Sequence, residues 1–172
     1  MKIYLLGYMG SGKSSAGKLL AEKLSLAFID FDRYIENEEG KTIAEIFDED
    51  GEDKFRTLEH RYLQRILNKQ NVVVSLGGGT PCFHNNMESI NKSGTSVYLE
   101  MDVPSLVKRL SKARNKRPLI RGLNDEELKY FIEANLEKRK AVYQMAHITV
   151  NGSSLSAQGV AEKISAEITR RS

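Results

Sequence analysis

The sequence predicts an α/β fold, a parallel sheet with helices on both faces. Three observations carry this. Short apolar segments alternate with longer segments of helical period along the chain. The short segments are apolar throughout, as strands buried on both faces are, and not at every second residue. No linker or internal repeat divides the 172 residues, a length that suits one domain over 1–172.

The elements follow in order. Lys2–Leu6 is an apolar run ending at Gly7, a buried strand, and Ser14–Leu24 has apolar residues at helical spacing. Ala27–Phe31 is a second short strand. Arg33–Glu39 and Ile43–Glu49 read as short helices, the latter capped by Thr42. Asp53–Asn68 carries a stripe of Phe55, Leu58, Tyr62, Leu63, Ile66 and Leu67, the mark of an amphipathic helix. Val72–Leu76 is a β-branched run that leads into three glycines. Asn85–Asn91 is a helix and Thr95–Met101 a strand. Pro104 suits the first turn of a helix running to about Ala113. Asp125–Gln144 is a long helix, His147–Val150 a last strand, and Ser156–Arg170 a closing helix.

Composition narrows the function classes. The chain is 40% apolar and 28% charged with 3 prolines, which argues against a disordered protein. No apolar run reaches the ~18–20 residues of a membrane span. Residues 1–6 are too short for a secretory signal, and Cys82 is a lone cysteine. A cytoplasmic location is expected. The net charge of +3 decides little, but its distribution is uneven. Residues 30–59 hold twelve acids and four bases, and residues 108–121 hold seven bases and no acid. The basic run suits a solvated face, a nucleic-acid contact or a loop that closes over a small polyanion. It coincides with the one long stretch lacking periodicity, about 112–124.

Gly7-Tyr8-Met9-Gly10-Ser11-Gly12-Lys13-Ser14 fits G-x-x-x-x-G-K-[ST], a P-loop, between a strand and a helix as that motif requires. Glycines let backbone N–H groups converge on phosphate oxygens, and the helix turns its positive end to the same anion. Lys13 would reach the β- and γ-phosphates, and Ser14 would ligate Mg²⁺. No Asn-Lys-x-Asp guanine motif is present, since Asn91-Lys92 leads to Ser93-Gly94 and Asn115-Lys116 to Arg117-Pro118. ATP is the expected nucleotide.

Asp30 and Asp32 stand two apart at the end of the second strand, where a period of two points both to one side. At the carboxyl end of a parallel sheet they lie beside the phosphates. One could hold metal-bound water, and the other accept the proton of an attacking hydroxyl. They could equally cap the next helix. Arg56 and Glu59 are one turn apart on the amphipathic helix, which by itself suits an exposed pair of small value. Gly77-Gly78-Gly79 brings bare backbone to the same sheet edge, as a flexible turn or as a close approach to a ligand. His60, His84 and His147 have no metal spacing, and Cys82 reads as an inert thiol.

Together these residues resemble the shikimate kinase family. The resemblance covers nearly the whole chain. It comprises the loop at 7–14, Asp30-Phe-Asp32, Gly51-Glu-Asp-Lys-Phe-Arg56 with Glu59, Leu76-Gly-Gly-Gly79, Arg117-Pro-Leu119, and Arg139 with Tyr143. It implies a P-loop NTPase fold like that of nucleoside-monophosphate kinases, with five parallel strands and a mobile lid at about 112–124. It implies transfer of the ATP γ-phosphoryl group to the 3-hydroxyl of shikimate, in aromatic amino-acid biosynthesis, with one Mg²⁺. Asp32 would bind the ring hydroxyls and act as, or orient, the base. Asp30 would join the Mg²⁺ shell through water. Arg56 and Arg139 would bind the carboxylate, with Gly78 and Gly79 at the ligand, and about 32–60 would be a substrate-binding segment. Gly10, Ser11, Gly12, Lys13, Ser14 and Ser15 would hold the phosphates, Arg117 would reach them from the lid, and Arg109 would lie against the adenine. A monomer acting on small molecules, without nucleic-acid or membrane partners, is expected. Another small-molecule P-loop kinase, such as one for gluconate, and a non-catalytic nucleotide-binding module are the competing readings.

Overall fold

Five parallel strands form one sheet in the order β2-β3-β1-β4-β5. They are β1 (Lys2–Leu6), β2 (Ala27–Asp30), β3 (Val72–Ser75), β4 (Thr95–Glu100) and β5 (Ile148–Asn151). Among the described residues seven α-helices accompany them: α1 (Lys13–Leu24), α2 (Phe31–Glu39), α3 (Ile43–Leu67), α4 (Asn86–Ser93), α5 (Val103–Ala113), α6 (Asp125–Tyr143) and α7 (Ala157–Arg171). This computed structural model describes residues 1–114 and 118–171.

The continuous apolar strands are explained by two cores. On β1, Tyr4 and Leu6 face one core with Val72, Val74 and the apolar stripe of α3. Ile3 and Leu5 face the other, packed with Leu20 of α1 and Ile164 of α7. Alternate residues of one strand are thus buried on opposite faces. A third apolar cluster joins Tyr8 of the phosphate loop to Leu106 and Leu110 of α5 and Leu128 and Ile132 of α6.

Element types and order agree with the sequence reading, but three local details differ. Strand β2 stops at Asp30 and α2 begins at Phe31 with no intervening loop. Asp32 is therefore not in a strand, and the period-two argument for its direction fails. The two helices expected at 43–49 and 53–68 form one bent unit, α3, with Gly51 at φ 80° and ψ 171° marking the bend. Thr80–Cys82 adds a short 3₁₀ turn, with the fixed φ of Pro81 at its middle. Of the expected lid, α5 ends at Ala113, Pro118–Ile120 form a 3₁₀ turn, and residues 115–117 lie outside the described residues. None of the described helices is long and apolar enough to cross a membrane.

Candidate active site

The loop between β1 and α1 occupies the centre of the sheet's carboxyl edge, because β1 is the middle strand. Gly7, Gly10 and Gly12 all take positive φ along its path. Gly7 has φ 145°, and a Cβ there would fall 2.7 Å from the Leu99 carbonyl oxygen. Gly12, at φ 90°, ends the loop as the residue before α1. Lys13 folds back over the loop. Its Nζ donates to the carbonyl oxygens of Gly7 at 2.8 Å and Tyr8 at 2.9 Å, and it is buried. The ammonium is thus held over the loop by two of the loop's own carbonyl oxygens. Gly10 and Ser11 lie within this loop, and Ser15 is exposed on the first turn of α1.

Ser14 Oγ donates to Asp30 Oδ2 at 2.7 Å and lies 3.3 Å from Ser75 Oγ. Three oxygen-bearing side chains from α1, β2 and β3 therefore meet beside the phosphate loop. Hard oxygen donors with one carboxylate fit Mg²⁺, which keeps waters and phosphate oxygens as its other ligands. Asp30 also caps α2, with Oδ1 accepting from the Arg33 amide at 3.4 Å. The capping role weighed for the aspartate pair is thus real for Asp30, and it coexists with the contact to Ser14.

Asp32, in the first turn of α2, is held between acidic neighbours. Burial pushes its carboxyl up to about 6, and the charges of Asp30 and Glu59 push the same way against the pull of Lys13. A carboxylate so placed is a better proton acceptor than an ordinary aspartate.

The glycine triplet is where the predicted groups converge. A Cβ at Gly77 would lie 2.7 Å from Asp32 Oδ1, at Gly78 it would lie 3.2 Å from Arg139 Nη1, and at Gly79 it would lie 2.5 Å from Arg56 Nη1. Each glycine makes room for one of the three groups assigned to the substrate. The Tyr143 hydroxyl donates to the Gly78 carbonyl at 2.6 Å and so anchors α6 to the triplet. Arg139, one turn earlier on α6, has its guanidinium 5.7 Å from the centroid of the Tyr8 ring.

Arg56 and Glu59 are not the exposed pair that the sequence alone suggested. Both are buried, at 8% and 1% exposure, and Arg56 Nη1 donates to Glu59 Oε2 at 2.8 Å. Glu59 Oε1 accepts from Thr80 Oγ1 at 2.5 Å, so the acid is satisfied on both oxygens. Arg56 Nε and Nη2 reach Glu52 Oε1 at 3.3 and 3.2 Å, a contact to a half-exposed side chain. The buried Glu59 holds the arginine, and the guanidinium edge carrying Nε and Nη2 faces a more exposed partner.

Gly79→Ala is therefore expected to harm binding and to lower stability. The atoms nearest the added methyl are the guanidinium of Arg56, which must shift within its buried pairing to Glu59. A displaced guanidinium cannot squarely meet the carboxylate that the resemblance assigns to it, and misplacement by about 1 Å can cost up to ~10²-fold. The check is acceptor KM together with thermal midpoint. An unchanged KM would separate Gly79 from the site.

On the other flank, Arg109 of α5 lies against the phosphate loop. A Cβ at Gly12 would fall 3.0 Å from its Nη1. Beside it a cleft of about 270 Å³ is lined by Ser105, Lys108, Arg109, Lys112 and Ser153. The Ser153 hydroxyl accepts from the Asp102 amide at 2.9 Å, tying the loop after β5 to the start of α5. Arg117 lies outside the described residues.

Sequence reasoning overlooked three neighbours of Arg56. Thr80 completes the Glu59 pairing, Arg56 Cζ lies over the Phe83 ring 4.2 Å from its centroid, and Asn86 supports Thr80 through the Thr80 carbonyl oxygen at 2.8 Å. A phenylalanine in an otherwise polar turn just past the glycines was the available signal. Cys82 is half-buried, and burial pushes its thiol up, which suits an inert thiol.

The family model of shikimate kinase matches residues 9–169. The shikimate kinase of Azobacteroides pseudotrichonymphae is 51% identical over 86% of this chain and 87% of its own length. The crystal structure of shikimate kinase from Bacteroides thetaiotaomicron superposes with a TM-score of 0.94 at 40% identity, covering 98% of each chain. Shikimate kinase from Acinetobacter baumannii, solved in complex with shikimate, gives 0.89 at 34% identity over 99% of this chain and 93% of that one. A gluconokinase from Sinorhizobium meliloti covers 99% of this chain and 97% of its own, but with a TM-score of 0.56 at 18% identity. That likeness reaches the fold alone.

Proposed function

The chain belongs to the shikimate kinase family, and from that premise we propose how its own residues carry the γ-phosphoryl group of ATP to the 3-hydroxyl of shikimate. The observation that carries the reading is the triplet Gly77–Gly79, with Asp32, Arg139 and Arg56 each against one glycine. A small acid bearing ring hydroxyls needs that set: two guanidinium groups for a carboxylate and one carboxylate for hydroxyls.

Arg56 and Arg139 hold the shikimate carboxylate. Asp32 accepts hydrogen bonds from the ring hydroxyls and takes the proton of the 3-hydroxyl as its oxygen bonds to Pγ. The bond between Pγ and the β,γ-bridging oxygen breaks, and ADP leaves. The phosphate loop, with Gly10, Ser11, Gly12, Ser14 and Ser15, receives the phosphates on backbone N–H groups and hydroxyls. Lys13 follows the charge on the transferring group. Ser14 and, through water, Asp30 would hold Mg²⁺, which when bound offsets charge on the β- and γ-phosphates. Arg109, Lys108 and Ser153 form the wall of the cleft that takes the adenosine end. Arg117, assigned from Arg117-Pro-Leu119, supplies a second cation from the lid. A single domain over 1–172 suits this division of roles, and the lone Cys82 suits a reducing, cytoplasmic compartment.

The test is ADP release with shikimate and gluconate side by side, on wild type, Arg56→Ala and Arg117→Ala. Turnover should require shikimate. Arg56→Ala should weaken shikimate binding by about 2–5 kcal/mol, the scale for truncating a buried charge pair. Arg117→Ala should lower kcat more than it raises shikimate KM. A pure kcat effect at Arg56 with a pure shikimate-KM effect at Arg117 would reverse the two assignments. Preference for gluconate would overturn the acceptor.

A further inference from the structure

We propose that Phe83 is a positioning residue for the substrate carboxylate, acting by covering the Arg56 guanidinium. The proposal rests on Arg56 binding that carboxylate. Phe83 remains 36% exposed, yet its ring centroid is 4.2 Å from Arg56 Cζ. Simple core packing does not account for a large apolar side chain in that position.

The turn that carries it is tied at both ends to the helix bearing Arg56. At one end Thr80 Oγ1 donates to Glu59 Oε1 at 2.5 Å. At the other, fully buried Asn86 pairs through Oδ1 with His60 Nδ1 at 2.6 Å, and the His84 ring lies 5.3 Å from the His60 ring. Glu59 and His60 both belong to α3, so ring and guanidinium share one frame. Between the ties, His84 and Asn85 both adopt left-handed backbone, at φ 51° and 55°. Two successive non-glycine residues there are uncommon and need surrounding structure to hold them. Here that strained turn delivers Phe83 to Arg56.

The chemistry follows from the shapes. A guanidinium takes a carboxylate in its own plane, edge to edge, by two parallel hydrogen bonds. An aromatic ring over one face blocks none of those edges, of which the one carrying Nε and Nη2 is met here by the half-exposed Glu52, and it screens that face from water and resists rotation of the plane. Phe83 thereby presets the orientation in which a planar carboxylate binds.

Phe83→Ala, Phe83→Leu and Phe83→Tyr are measured with both substrates varied, alone and combined with Arg56→Gln. Ala and Leu should each raise shikimate KM about 3- to 10-fold, while Tyr keeps it near wild type. ATP KM and kcat should stay within about twofold, since in this role the ring acts through Arg56 and not through the phosphate loop or Asp32. With Arg56→Gln in place, Phe83→Ala should change shikimate KM by less than about twofold, because its effect runs through the lost guanidinium. Wild-type behaviour of Phe83→Leu, or an effect of Phe83→Ala that persists undiminished in the Arg56→Gln background, overturns the proposal while leaving Arg56 in place. If Arg56→Gln alone leaves shikimate KM unchanged, the carboxylate assignment fails and this proposal fails with it.

Discussion

Asp32→Asn should lower kcat by ~10²–10⁴, the span of a lost general base, and at the same time make the ligand-free, metal-free protein more stable at neutral pH. The two effects have one origin. Burial and the charges of Asp30 and Glu59 push the Asp32 carboxyl up to about 6, so its ionised form is disfavoured in the folded chain. In the unfolded chain an aspartate titrates near ~3.9. Between those values the folded state binds more protons than the unfolded one. The protonated group's contribution is fully present below about 4 and is lost as pH rises towards about 6. Above that the ionised side chain is a net cost, which Asn removes. The gain should be about 1–3 kcal/mol, allowing for the partial exposure of the carboxylate. Denaturant unfolding at pH 4 and pH 7.5 reads it, with the advantage of the variant larger at the higher pH. A mere first-turn acid would behave oppositely, because neutralising it weakens the helix by ~0.3–1 kcal/mol. Full activity in Asp32→Asn, or lost stability at pH 7.5, would assign Asp32 to the helix and not to the reaction.

Lys13→Met should lower kcat by at least ~10²–10³, the worth of one preorganised contact to developing charge. The ammonium sits on the Gly7 and Tyr8 carbonyl oxygens, so the loop itself fixes its position. Methionine keeps the unbranched stem out to Cε and removes the donor. Those two carbonyls then lose a charged partner, and stability should fall by ~1–3 kcal/mol. Single-turnover phosphoryl transfer measured beside a thermal melt separates the two losses. Near-normal transfer in the folded variant would rule out this lysine as the group that follows the phosphoryl charge.

Much of the molecule was legible from local pattern. Strands and helices announce themselves through periodicity over a few residues, and the phosphate loop is contiguous in the chain. The triple glycine and the basic run also stand out without any fold. The Asp30–Asp32 pair reached the site by another route than the spacing suggested, because α2 begins at Phe31 and replaces the strand geometry with a helix start. The pairing of Arg56 with Glu59 was visible, but its value was not. Spacing alone cannot tell a solvated pair from a buried one, and here burial comes from the glycine triplet and Thr80 closing over α3. Arg139 meets Gly78 because α6 packs across the sheet edge, with Tyr143 as its anchor. Phe83 meets Arg56 because a strained turn is pinned to that helix. Sequence by itself determined the element order, the nucleotide loop and the residue types that the chemistry needs, since each of these is written within one short segment. Tertiary structure alone decided which distant side chains share a wall and which charges lose their water, because desolvation and close approach depend on what packs against a residue and not on its neighbours in the chain.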